Sequence, residues 1–120
     1  MRTVMVIRGL LVLLYAVALA AQQNGNDLFQ QGLAKERVAG DCDGAIQIYE
    51  HVVRDFASDK PLAAKALIQL GGCYEKLGLS QAQNAYEQVI NKYRDQFEMA
   101  DKARERLAAW AKLEIGRAHV

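Results

Sequence analysis

Residues 82–93, AQNAYEQVINKY, repeat the outline of residues 45–56, AIQIYEHVVRDF. Shifted by 37 positions, Ala82 falls on Ala45, Tyr86 on Tyr49, Glu87 on Glu50, Val89 on Val52, Ile90 on Val53 and Tyr93 on Phe56. The same offset carries Ala100, Lys102, Ala103 and Leu107 onto Ala63, Lys65, Ala66 and Leu70, so a third copy begins and stops halfway. No other feature constrains the fold as tightly. A unit of this length cannot enclose a core alone, and copies must stack so that each covers its neighbour.

Within a copy the apolar period is helical. Ala45, Tyr49, Val52, Val53 and Phe56 recur at steps of three and four, which is one stripe along a 3.6-residue helix. Gly40-Asp41 ahead of that stripe, and Gly78 with Ser80 in the next copy, supply a helix stop followed by a polar start. Each copy therefore reads as two short antiparallel helices, and the chain as an all-α stack of about two and a half copies.

These residues resemble the tetratricopeptide repeat. In the later copy its motif falls on Leu67, Leu70-Gly71, Tyr74, Gly78, Ala82, Tyr86 and Val89. In the earlier copy Phe29, Gly40, Ala45, Tyr49 and Val52 fit, whereas Gly32-Leu33 and Glu36 replace Leu-Gly and the aromatic, and Ala57 and Arg94 stand where the family usually ends in Pro. The family period is about 34 residues, and the extra ones are expected in a lengthened turn at Lys60-Pro61-Leu62-Ala63. Lengthened turns are similar to those of the repeat modules in bacterial envelope proteins, including the Tol-Pal accessory protein and outer-membrane assembly factors. A similar arrangement also precedes propeller domains in some large exported bacterial proteins.

The ends read differently from the middle. Arg2 and Arg8 flank or precede the compact apolar run GLLVLLYAVALA, with small-x-small cleavage patterns at Ala16–Ala20. Residues 1–20 are expected to be a signal peptide cleaved near Ala20, because the run is shorter than the roughly 20 apolar residues of a spanning helix. Residues 21–26 then form a linker and 27–113 the repeat domain, periplasmic or extracellular, with no membrane insertion after cleavage. The final EIGRAHV, residues 114–120, fits no helix stripe and resembles a translated sequencing adapter, so it is expected to be a non-native tail on a chain that continues past Leu113. Its third copy would leave the stripe of Ala100, Ala103, Leu107 and Trp110 uncovered, a surface suited to self-association.

Charge and motif content exclude several functions. Fifteen Lys and Arg against fourteen Asp and Glu leave no basic excess for nucleic acid. Of the two histidines, His51 lies beside Glu50 and off the apolar stripe, and His119 is in the tail, so neither suggests a general base or metal ligand. Ser58 and Ser80 are turn or cap residues, and no phosphate loop or paired-Cys motif is present. Gly71-Gly72 reads as close helix packing, and Tyr49, Tyr74, Tyr86, Tyr93 and Phe56 as core. No cofactor, metal or catalytic residue is expected, and the chain reads as a non-enzyme.

The resemblance implies that the first helix of each pair lines a concave partner-binding surface. That maps onto Asp27, Gln30, Ala34 and Arg37, then Lys65, Ile68, Gly72 and Glu75, then Lys102, Glu105, Ala109 and Lys112. A peptide or a partner helix would lie there. The expected function is an exported protein–protein interaction scaffold; the alternative is the truncated N-terminal interaction module of a larger exported enzyme or propeller protein. Cys42 opens the second helix of the first pair and Cys73 lies late in the first helix of the next. Antiparallel packing brings these ends together, so they are either a disulfide, which export permits, or two small buried apolar residues.

Overall fold

The computed structural model describes residues 24–118. The expected signal peptide, the start of the linker and His119 lie outside the described residues. Within them are five α-helices and no strand: α1 (Gly25–Arg37), α2 (Cys42–Asp55), α3 (Lys60–Lys76), α4 (Gln81–Lys92) and α5 (Phe97–Ala118). Helix α1 begins at Gly25, within the segment expected to be linker.

Local chemistry sets the helix ends. Asn24 and Asp41 accept from the backbone N–H groups of Asp27 and Gly44, each at 2.8 Å, and Asp59 accepts from Leu62 at 3.3 Å. Each such bond satisfies one of the orphan amides of a first turn. Ser80 occupies the same place before α4, but its hydroxyl makes no cap bond. Gly40 and Gly78 have φ of 65° and 68°. Only glycine reaches that left-handed conformation without a Cβ penalty, which is why both first helices of a pair stop there.

Lys60-Pro61-Leu62-Ala63 is not a lengthened turn. It is the first turn of α3, with Pro61 at its opening and Asp59 as its cap. A proline is welcome there because the amide it lacks would have no intrahelical partner, and its fixed φ suits a helix. The extra residues of the repeat thus extend a helix. All four connections, 38–41, 56–59, 77–80 and 93–96, have the same length.

Helix α1 packs on α2 and α3, α3 on α2, α4 and α5, and α4 on α5. The first helices α1, α3 and α5 form one layer in contact along the stack, whereas α2 and α4 flank α3 without meeting each other. The core between the layers is made by Leu28, Ala45, Tyr49, Val52, Ala63, Ala66, Leu67, Leu70, Ala82, Tyr86, Val89 and Ala103. These are the periodic residues of the repeat.

A glycine-on-tyrosine lock holds each pair together. A Cβ placed on Gly32 would lie 2.5 Å from Cε1 of Tyr49, and one on Gly71 would lie 2.5 Å from Cε1 of Tyr86. Gly32 is therefore the counterpart of Gly71, and the first copy has its family glycine after all. Gly32 and Gly71 are 39 positions apart, two more than Tyr49 and Tyr86, because α2 has 14 residues and α4 has 12. The difference lies inside a helix, where a turn-based alignment overlooks it.

The third copy also differs from expectation. Ala100, Ala103 and Trp110 are buried and Leu107 is half-buried, because that stripe faces back onto the second pair. The exposed large apolar side chains of α5 are Phe97, Leu113 and Ile115. The segment read as a tail continues α5 as helix through Ala118, and the Arg117 guanidinium sits 5.8 Å from the Trp110 ring centroid. At the base of the stack the Tyr93 hydroxyl donates to the Ala57 carbonyl at 3.1 Å, and Lys60 pairs with Asp95 at 3.3 Å. These two bonds tie successive inter-pair turns together.

Candidate functional site

The layer of first helices carries a groove of about 220 Å³ lined by Glu36 of α1, by Ile68, Gln69, Gly72 and Lys76 of α3, and by Lys102 and Arg106 of α5. Its floor is low because Gly72 has no side chain and Ile68 is half-buried. Its walls are charged, and the charges are organised between copies. Lys76 reaches back to Glu36 at 3.2 Å, and Arg106 reaches back to Glu75 at 2.7 Å. The wall carboxylates Glu36 and Glu75 are thus each met by a cation of the next first helix.

The Glu36 carboxylate is the anchor of the first wall. Its side chain is only 7% exposed, and it accepts from the Tyr49 hydroxyl at 2.7 Å as well as from Lys76. Burial, and then the hydrogen bond to Glu36, pushes the Tyr49 hydroxyl far above its ordinary pKa. The bond to Glu36 raises Lys76 as well. In the second copy the equivalent tyrosine is left over. Tyr86 is buried, and its hydroxyl has no hydrogen-bond partner among the described residues, whereas Arg106 engages the nearby Glu75 carboxylate. Burial pushes that hydroxyl up to about 12, with Arg106 acting in the opposite direction.

Of the residues expected to line the surface, Ile68, Gly72 and Lys102 stand in the groove, and Glu75 holds Arg106 at its wall. Lys65 lies outside it, in a separate depression with Pro61, Phe97 and Met99. Glu105 lies outside it, in a depression with Glu98, Asp101 and Arg104 that shares Lys102 with the groove. Asp27, Gln30 and Arg37 are exposed but not among the groove residues. The register explains their displacement: with Gly32 over Gly71, the counterparts of Ile68, Gly72 and Glu75 are Phe29, Leu33 and Glu36. Sequence reasoning missed Glu36, Gln69, Lys76 and Arg106. The acid–base dipeptides Glu36-Arg37 and Glu75-Lys76 were the available signal, since each closes a first helix in the same way.

Away from the groove, His51 Nε2 sits 2.6 Å from Asp55 Oδ2 one helical turn later, a partly exposed pair on α2. The Tyr74 hydroxyl donates to Glu50 at 2.5 Å. Cys42 and Cys73 carry free thiols with their sulfurs 2.8 Å apart; Cys73 is fully buried and Cys42 half-buried. Among the described residues no three His, Cys, Asp or Glu stand together as a metal site, and no helix is long and apolar enough to cross a membrane.

Comparison with protein families gives a match over residues 28–59 and again over 65–95, more than half of the chain, to the tetratricopeptide repeat. The chain belongs to the tetratricopeptide repeat family. The two matched segments coincide with the two helix pairs, α1–α2 and α3–α4, and α5 opens a third. Tetratricopeptide repeats serve in general as non-enzymatic protein–protein interaction modules. No curated protein and no solved structure matches the chain.

Proposed function

We propose that this chain is an exported, non-enzymatic scaffold that offers the groove across α1, α3 and α5 to an extended segment or a helix of a partner protein. The observation that carries the proposal is the continuity of that groove over three successive first helices, with a glycine floor and charged walls. At about 220 Å³ it is smaller than the roughly 300–1,000 Å³ of small-molecule sites. That size suits one or two side chains of a peptide lying along it. The first helices touch along the stack while α2 and α4 do not.

Apolar contact on Ile68 and the Gly72 floor would supply most of the affinity. Glu36 and Glu75 already pair with Lys76 and Arg106, so Lys102 is the cation of the lining left to attract an acidic segment and set its orientation. Export rests on the leader-like residues 1–20.

Two measurements test the reading. Peptides selected from a displayed library against the full chain should shield Lys76 and Lys102 from amine acetylation and leave Lys92 on α4 reactive. Equal shielding of all three, or of Lys92 alone, would remove the groove from the proposal. For export, the chain expressed in a bacterium with two membranes should be recovered from the periplasm with Ala21 at its N-terminus. Recovery from the cytoplasm with Met1 retained would remove that part alone.

A further inference from the structure

We propose that Cys42 and Cys73 are an intramolecular disulfide pair that staples the first repeat to the second, formed by exchange with an external disulfide that enters at Cys42. The two positions are 31 residues apart in sequence, and the fold brings their sulfurs to 2.8 Å. A disulfide bond of about 2.05 Å is within a small torsional adjustment of that separation. Neither sulfur is free to drift away. Cys42 is the first residue of α2, whose start is fixed by the Asp41 cap, and Cys73 lies on the buried face of α3. A structural metal is the other use of a close cysteine pair, and no third ligand stands with them among the described residues.

The asymmetry of the pair assigns the order of events. Cys42 is half-buried and open to a small oxidant, whereas Cys73 is fully buried. Burial, and then the hydrogen bond between Cys73 and Cys42, also pushes the Cys73 thiol up, which makes it the poorer first nucleophile. The Cys42 thiolate attacks one sulfur of a small-molecule disulfide, forming a mixed disulfide and expelling one thiol. Cys73, after giving up its proton, then attacks the Cys42 sulfur and expels the second thiol. Two protein thiols are oxidised, one external disulfide is reduced to two thiols, and no other reactant is needed.

The staple joins the N-terminus of α2 to the last turn of α3, where Lys76 crosses to Glu36. It therefore fixes the spacing of two repeats at one end of the groove. The chemistry is independent of the proposed export and partner, because it depends only on this juxtaposition.

The test is to reduce the full chain, incubate it under native conditions with glutathione disulfide, alkylate it, and measure intact and peptide masses together with thermal unfolding. The expected product is a monomer lighter by two hydrogens, with no alkylatable thiol and the Cys42 and Cys73 peptides linked. Its unfolding midpoint should exceed that of the reduced chain by on the order of 10 °C. Cys42→Ser, at the more exposed position, should show no such difference between oxidised and reduced conditions. Two alkylatable thiols, a glutathione adduct at Cys42 that never closes, or a bond formed without any rise in midpoint would each overturn the proposal.

Discussion

Replacing Gly71 by alanine should destabilise the protein, while replacing its neighbour Gly72 should stabilise it. Both sit inside α3, so both gain about 1 kcal/mol of helix propensity on acquiring a methyl group. They differ in what the methyl meets. At Gly71 it would lie 2.5, 2.6 and 3.0 Å from Cε1, Cζ and Cδ1 of Tyr86, whose side chain has no exposed surface to retreat into. At Gly72 nothing lies within 4 Å. Forcing a methyl into a closed core costs about 1–3 kcal/mol, and a rigid ring met along its edge belongs near the top of that range. The net effects are a loss of about 2 kcal/mol for Gly71→Ala and a gain of up to about 1 kcal/mol for Gly72→Ala. Followed by far-UV circular dichroism, the first should melt about 10 °C below the parent and the second a few degrees above it. Gly71→Ala melting at or above the parent would refute the glycine-on-tyrosine lock and, with it, the register assigned to both copies.

The helix caps give a second contrast: Asp41→Ala should cost about 1 kcal/mol through the lost bond to the Gly44 amide, and Ser80→Ala close to nothing, in urea unfolding. Equal losses would contradict the assigned caps. Alkaline titration supplies a third, since a raised tyrosine pKa favours the protonated folded form. The associated stability is complete below the unfolded value of about 10 and is lost as pH rises through the folded value, about 12 for Tyr74 and Tyr86. Tyrosinate absorbance should therefore rise together with loss of helical dichroism between those limits, and full ionisation near pH 10 with the helices intact would contradict the burial.

The parts of this fold that were legible in the sequence are those set by local chemistry and by period. Gly40 and Gly78 announced the helix stops, Asp41 its cap, and the Ala-Tyr-Val stripe the face that packs. Gly71 was readable because Leu70 and Tyr74 bracket it in the family pattern. The register of the first copy was not, because two extra residues at the start of α2 leave no turn signal behind. Lys60–Ala63 looked like a turn because of Pro61, although the same residue is equally at home at a helix start. The stripe from Ala100 to Trp110 was legible as apolar but not as covered, since covering depends on how one pair rotates against the next. That same rotation decides which charges meet, so Glu36, Lys76 and Arg106 emerged as a wall only in three dimensions.

The claim that the groove is the working surface is tested most directly by one matched pair of charge reversals. Lys102 and Lys92 are both exposed, on α5 and α4, so changing either to glutamate leaves the core untouched. Only Lys102 lines the groove. Affinity for a selected acidic peptide, measured by calorimetry, should fall about tenfold or more in Lys102→Glu, equivalent to at least ~1.4 kcal/mol, and stay unchanged in Lys92→Glu. Equal affinities in the two variants, or a loss confined to Lys92→Glu, would place binding elsewhere on the molecule.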